Sequence, residues 1–291
     1  MNIKITIFTP TYNRDYIIIN LYKSLLIQTL KDFEWLIIDD GSTDNTELLV
    51  SSFIKDNKIN IRYIKQQNGG KHRAINKALE EAKGELFFIV DSDDQLVDNA
   101  IERILYYFDQ IKEDSSFAGV CGVKAYFDGK KVGGEVDFDI LDCSSILFRY
   151  NYRMKGDMAE VFRTEIFRKY LFPDIEGECF CPEALVWNRI GMKYRLRYFN
   201  EKIYLCDYLQ DGLTAKIVKL RMNSPLASML YYSELYKIPI PFDQKLKAAI
   251  NYWRFALCSK EKFADKVERI GLASLLWFPL GLLFHLKDLR S

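Results

Sequence analysis

GELFFIVDSDDQLVDN, residues 84–99, drives an apolar run straight into four acidic or hydroxyl groups, Asp91, Ser92, Asp93 and Asp94. The run LFFIV has no polar face, so it reads as a strand covered on both sides, the usual state of a central strand in a parallel sheet. Carboxylates this close repel one another, and a chain crowds them only where something positive sits between them. One short stretch thus points to a buried parallel sheet and to a charged rim at its end.

Working towards the N-terminus, the same alternation recurs three times. IKITIF (3–8) puts Ile3, Ile5 and Ile7 on one face of a strand, and DYIIINLYKSLLIQTL follows with Ile18, Leu21, Leu25 and Leu26 at helical spacing. FEWLIID is a second strand, after which Ser42, Thr43 and Asp44 offer caps to a helix through TELLVSSFI. NIRYIK is a third, and HRAINKALEEAK carries Ile75, Ala78, Leu79 and Ala82 on one helical face before Gly84 stops it. After the fourth strand Asp98 opens a helix with Ile101, Ile104, Leu105 and Phe108 inward. Such alternation specifies an α/β fold, a mostly parallel sheet with helices on both faces. From about Ser115 to Cys143 short strand-like pieces broken by glycines take over, and a helical C-terminal part begins near Leu220.

Composition removes several function classes. The chain has 291 residues, 49% hydrophobic and 28% charged, with a net charge of +1, so it lacks the basic bias of nucleic-acid binders. Two histidines, His72 and His285, make a His-based triad or a poly-His metal site improbable, and His72 reads as a helix-start residue. Six scattered cysteines include Cys179 and Cys181 as a C-x-C, too little for zinc and better read as reduced cytosolic thiols. The opening MNIKITIFTPTYNR has no basic leader and apolar signal core, which argues against secretion and for a cytoplasmic location.

In an open parallel sheet, ligands bind beyond the carboxyl ends of the strands. All four strand ends carry polar or turn-forming residues: TPTYNR, DDGSTD, QQNGGK and DSDD. Turns alone do not require that coincidence. A helix cap explains one aspartate of the last group, and Asp98 already serves the next helix. An EF-hand calcium loop needs a central Gly and a terminal Glu that do not follow Asp94. A Mg2+ or Mn2+ ion shared with a phosphate ligand needs one or two protein carboxylates, and Asp91-Ser92-Asp93 can turn alternate residues to one side.

In their order and spacing, TPTYNR, IIDDGSTDNT, NGGKHRAIN and DSDD resemble the family-2 glycosyltransferases, nucleotide-sugar enzymes of the GT-A fold. The resemblance covers roughly the first 110 residues closely and recurs in a later patch. It implies that Pro10, Tyr12 and Asn13 line the nucleoside pocket, that Asp40 hydrogen-bonds the base, most often uracil, and that Asp39 supports the same loop. It also implies that Lys71 approaches the diphosphate and that Asp91, Ser92 and Asp93 hold the ribose and the metal, with Asp91 and Asp93 as ligands of Mn2+ or Mg2+. The expected domains are then 1–215, a glycosyltransferase domain with a nucleotide-sugar half (1–110) and an acceptor half (111–215), and a helical region, 216–291.

Enzymes of this kind invert the anomeric centre and carry their base in a Glu-Asp motif that opens a helix, with an aromatic residue and an Arg downstream. FPDIEGECFCPEALVWNRIG (172–191) is the matching stretch, with Pro182 suited to a first helical turn and Trp187 and Arg189 in register. That registers Glu183 with the base, although Pro-Glu replaces Glu-Asp, and Asp174, Glu176 and Glu178 stay candidates. YLQDGLT (208–214) looks like the family's closing loop, with Asp211, Gly212 and Thr214 near the diphosphate or acceptor; a plain surface turn is the competing reading.

IGLASLLWFPLGLLFHL (270–286) has no charged residue, is short for a membrane span, and is interrupted by Pro279 and Gly281. Residues 240–291 hold four more Lys and Arg than Asp and Glu. A segment lying on the inner membrane face, with Trp277, Phe278 and Phe284 buried in the interface, fits this. Packing on the sheet domain, or on a second subunit in a homodimer, is the alternative. A membrane-bound chain would act on a lipid-linked saccharide in surface polysaccharide or glycolipid synthesis. Two rival functions are a sugar-phosphate nucleotidyltransferase, which TPTYNR disfavours for want of a glycine, and an inactive saccharide-binding scaffold of the same fold.

Overall fold

The computed structural model describes residues 3–135, 137–207 and 216–290. They fall into two compact units, one drawn from Met1–Ser145, Met154–Leu171 and Ile190–Asp207, the other from Ile146–Arg153, Phe172–Arg189 and Tyr208–Ser291.

The first unit holds a nine-stranded sheet. Four strands alternate with helices: β1 (Ile5–Thr11), α1 (Ile18–Leu26), β2 (Phe33–Asp39), α2 (Thr46–Asp56), β3 (Ile61–Lys65), α3 (Lys71–Glu81), β4 (Leu86–Ile89). There follow β5 (Gln95–Leu96), α4 (Ala100–Asp109), β6 (Phe117–Ala125), β7 (Ile140–Cys143), β8 (Met158–Arg163), α5 (Thr164–Phe167) and β9 (Arg195–Leu205). The sheet order is β3-β2-β1-β4-β8-β6-β9-β5, with β7 on β9. β1 pairs in parallel with both β2 and β4, and β2 with β3. All seven residues of β2 are buried, as the apolar runs require of a strand covered on two faces. Tyr22 of α1 and Phe53 of α2 stack on each other at a centroid separation of 4.1 Å, with Trp35 of β2 6.1 and 6.3 Å from them. β8 then enters antiparallel between β4 and β6, which turns the remainder of the sheet mixed.

α1 to α4 begin without side-chain capping bonds, so the expected caps need correction. α3 ends at Glu81 with Ala82 as its C-cap, before Gly84. Gly84 serves instead for close approach, since a Cβ there would lie 2.3 Å from the Thr6 backbone nitrogen on β1. The N-cap of α4 is Asn99, with no side-chain capping bond, so Asp98 does not open that helix as expected; its carbonyl accepts from the Thr29 amide. The N-cap of α2 is Asn45, again without a side-chain capping bond, and Asp44 just before it accepts the Thr46 amide at 3.0 Å.

The second unit contains the start of α6 (Ala184–Gly191) and a helical tail: α7 (Ile217–Asn223), α8 (Pro225–Lys237), α9 (Phe242–Ala256), α10 (Phe263–Ile270), a 3-10 turn (Leu272–Trp277) and α11 (Phe278–Asp288). Trp253 of α9 is its hub. The indole donates to the Ser274 carbonyl at 3.0 Å, and Gly281 lets α11 approach so closely that a Cβ would meet Trp253 Cβ at 2.5 Å. Phe278 meets the Trp253 ring edge-on at 5.2 Å. Of the three aromatics expected at a lipid interface, Trp277 and Phe278 are half-buried and Phe284 is exposed. Among the described residues no single helix is long and apolar enough to cross a membrane; α10 and the segment Leu272–Asp288 meet at a bend of 109°.

Candidate active site

The four parallel strands end on one rim, and the loops leaving them are tied together by hydrogen bonds. Asn13 adopts a left-handed backbone (φ 53°), which asparagine tolerates because its side chain can bond locally, and its Oδ1 accepts the Thr43 amide at 2.8 Å. In return Ser42 Oγ accepts the Asn13 amide at 2.9 Å, and Thr46 Oγ1 accepts that of Arg14 at 3.0 Å. The first rim loop is thus zipped to the second. Tyr12 stands exposed on it, while Pro10 is half-buried.

Asp39 and Asp40 divide the work of fixing the next two loops. Asp39 is fully buried and accepts the Ser42 amide at 2.6 Å and the Tyr63 hydroxyl at 2.5 Å, the loop support expected of it. Burial and this bond push the Tyr63 phenol well above its ordinary pKa. Asp40 accepts Gln66 Nε2 at 2.7 Å, the Gly69 amide at 3.0 Å and the Gly70 amide at 2.7 Å. That makes it the anchor of the third loop. Gly70 takes φ 95°, which turns the chain into α3 and sets Lys71 as its first residue. Lys71 Nζ then lies 2.5 Å from Asp91 Oδ1 on the fourth loop.

In the acidic turn, burial alternates. Asp91 and Asp93 are half-exposed, whereas Ser92 and Asp94 are buried. The two expected metal ligands do share the open side, and Ser92, expected at the donor, turns inward. The turn is closed by the Asp94 amide on the Asp91 carbonyl at 3.1 Å and clamped by Tyr204 of β9. The Tyr204 hydroxyl accepts the Asp91 amide at 3.0 Å and donates to Asp94 Oδ2 at 2.6 Å. Lys124 of β6 sits with its ammonium 4.1 Å from the Tyr204 ring centroid.

Charge is distributed unevenly over these groups. Burial opposes ionisation of Asp91, but Lys71, Lys124 and Arg14 outweigh it and hold its carboxyl below the ordinary value. Asp93 is raised, by burial and then by the charge of Asp91. Asp94 is pushed up to about 7, by burial first and Asp91 next. Burial works against the Lys124 ammonium, yet Asp91 and Asp94 keep its pKa above the usual one. Among the described residues no three His, Cys, Asp or Glu side chains converge on one point. The donor set therefore fits a divalent cation only as a shared one, with Asp91 and Asp93 giving one or two oxygens and a phosphate ligand the rest. A cation there would also relieve the like-charge penalty that raises Asp93.

Glu183 belongs to the second unit, directly before α6, where its carbonyl accepts the Val186 and Trp187 amides. A carboxylate at a helix N-terminus is favoured in its ionised form. Glu178, a rival for the base, is buried with its two oxygens on the Leu226 and Ala227 amides at 2.7 and 2.8 Å. It anchors the N-terminus of α8 through both carboxylate oxygens and is buried. Arg189 makes a two-point pair with Glu234 of α8, and Trp187 meets Phe172 edge-on. Asp211, Gly212 and Thr214 lie outside the described residues.

A sequence profile described as glycosyl transferase family 2 matches residues 6–166, more than half of the chain. The chain belongs to glycosyl transferase family 2. It is 40% identical over 107 residues to an uncharacterized glycosyltransferase of Rickettsia felis, a match covering 37% of this chain but only 17% of that protein. With the GalNAc(5)-diNAcBac-PP-undecaprenol beta-1,3-glucosyltransferase of Campylobacter jejuni it shares 27% identity over 248 residues, 81% of this chain and 74% of the relative. The crystal structure of Staphylococcus aureus TarS residues 1–349 with UDP-GlcNAc superimposes with a TM-score of 0.66 at 17% identity, covering 99% of this chain and 89% of that one. At that identity the likeness shows the fold, the GT-A arrangement that the strand and helix order implies.

Lys124 and Tyr204 did not stand out as site residues in the sequence. The one available signal was a lone lysine inside the otherwise apolar strand FAGVCGVKA, where a charge needs a partner.

Proposed function

We propose that this chain moves a sugar from a nucleoside-diphosphate sugar, a UDP-hexose, to a hydroxyl of a saccharide or lipid-linked saccharide acceptor, with inversion, in surface polysaccharide or glycolipid synthesis. The observation that carries the reading is the rim itself: four strand-end loops locked to one another, with Lys71 2.5 Å from Asp91 and Asp93 open beside them. Family membership supports the reaction class. The Campylobacter relative, named as acting on an undecaprenol-linked saccharide, supports the acceptor class, and the UDP-GlcNAc bound to TarS supports the donor.

In this reading Pro10, Tyr12 and Asn13 line the nucleoside pocket. Asp40 spends three of a carboxylate's roughly four acceptor sites on the third loop and offers the remaining one to the base. Lys71 serves the diphosphate, and Asp91 and Asp93 would hold Mn2+ or Mg2+. When bound, the cation neutralises charge growing on the leaving diphosphate. Glu183 takes the proton of the acceptor hydroxyl as its oxygen bonds to the anomeric carbon and the bond to the diphosphate breaks. One displacement inverts that carbon.

Thermal unfolding against a panel of sugar nucleotides, with and without Mn2+, tests the donor assignment. A ligand at 100 times its dissociation constant adds about 2.7 kcal/mol of stability, a readily measured shift. Uridine diphosphate sugars are expected to give the largest one. No shift with any nucleotide, in either condition, removes the donor site from the rim.

A further inference from the structure

The C-terminal segment presents a face that the fold does not use. Its inward positions are set by Ser274, which is fully buried, by Phe278 on the Trp253 ring, and by Gly281 against α9. The opposite side of the 3-10 turn and α11 carries Leu272, Leu276, Leu280, Leu283 and Leu286. Leu272, Leu276 and Leu283 are 75%, 78% and 62% exposed. A surface helix of a globular protein turns polar side chains outward, and here the outward row is leucine. A row of this kind marks an interaction surface.

The polar groups beside that row narrow the choice of partner. Between Gly271 and Arg290 the only acidic residue is Asp288, and Arg254 draws it inward with a two-point ion pair of 2.5 and 2.7 Å. Lys287 and Arg290 stay exposed at the end of the row. The phosphates of an anionic lipid surface complement these cations. Among the described residues no single helix is long and apolar enough to cross a membrane, and α10 meets the segment Leu272–Asp288 at a bend of 109°.

We propose that the outward leucine face of the 3-10 turn and α11, with Lys287 and Arg290 at its end, docks on an anionic lipid bilayer. The side chains it places in the interface are the exposed leucines of that face. It stands apart from the transfer reaction, because lipid binding needs neither donor nor cation.

Co-sedimentation of the full chain with vesicles tests it. Binding is expected to vesicles of phosphatidylglycerol and phosphatidylcholine, with weaker binding to phosphatidylcholine alone and at high salt. Leu276→Glu with Leu283→Glu should lower partitioning by on the order of 100-fold, since two leucines no longer leave water. Lys287→Glu with Arg290→Glu should lower it roughly tenfold or more and flatten the salt dependence. All four positions are exposed, so thermal unfolding of each variant should match that of the parent and certify folding. Failure of the parent to partition, or binding indifferent to both pairs of substitutions, overturns the proposal. So does concentration-dependent self-association, abolished by Leu276→Glu, without vesicle binding; the face would then join two copies of the chain.

Discussion

Tyr204 donates its phenolic proton to Asp94 Oδ2 at 2.6 Å while accepting the Asp91 amide at 3.0 Å, so one hydroxyl spans both ends of the acidic turn. β9 thereby controls a loop that follows β4, 110 residues away in sequence. Tyr204→Phe leaves the ring and removes the bridge. A buried carboxyl and an amide lose their partner, which costs about 1–3 kcal/mol. Urea unfolding should register that loss. Mn2+ titration of the variant should show weaker affinity as well, because Asp91 and Asp93 keep their common side only while the turn is held. Equal Mn2+ affinity in both proteins would reduce Tyr204 to a core residue.

A pH dependence follows from Asp94, whose carboxyl is pushed up from 3.8 to about 7. An acid with a raised folded pKa binds more protons folded than unfolded between those two values. Its contribution therefore falls as pH climbs from about 4 to about 7 and levels off above. The stability difference between parent and Asp94→Asn, measured without donor or metal, should change by that trend and then stay flat. Asp93 is raised too and retains its own slope in the variant, while Asp91 is lowered and acts below this window. Lys124→Met should carry the fall to higher pH, since Lys124 favours the ionised form of Asp94.

The parts of this fold legible in sequence were the local ones. β1 to β4 and their helices follow from apolar period, written within a dozen residues of where it acts, whereas the cap expected of Asp98 falls on Asn99 and the stop expected of Gly84 on Ala82. The antiparallel insertion of β8 between β4 and β6 is a long-range pairing that no local period encodes. Lys124 and Tyr204 sit in strands whose pattern reads as core, and only the register Lys124 to Tyr204 in the β6–β9 ladder brings them together. For the tail, a segment apolar on every side gives no phase, so its inward face could be read only from Trp253 and Gly281. Glu178 and Glu183 were both plausible bases in sequence; the α8 amides that occupy Glu178 lie nearly fifty residues downstream.

Those two glutamates should separate in solution. Glu178→Ala removes the acceptor of two amides at the start of α8 and should cost about 1–2 kcal/mol, read by urea unfolding, without changing donor affinity. Glu183→Gln should leave unfolding and donor-induced stabilisation in place and lower turnover by roughly 100- to 10,000-fold, the range of a positioned general base. Turnover that survives in Glu183→Gln would move the base to Asp174 or Glu176, the exposed acids of the same loop.

Asp93→Asn addresses the cation directly. Asp91 is already served by Lys71 at 2.5 Å, so without a ligand its charge has an internal counter-ion. Asp93 faces the same side with a carboxyl that burial and Asp91 raise, and ionising it is uphill until a cation arrives. Replacing it by the neutral amide should leave the metal-free chain as stable as the parent or slightly more so, because a like-charge contact disappears. The metal-dependent part of donor stabilisation should vanish, while the part supplied by Lys71 and the nucleoside pocket remains. Isothermal titration of a uridine diphosphate sugar in Mn2+ and in chelator reads both parts. Equal responses of Asp93→Asn and parent to Mn2+ would take Asp93 out of the coordination sphere, and loss of donor binding in chelator would assign it to the sugar nucleotide instead.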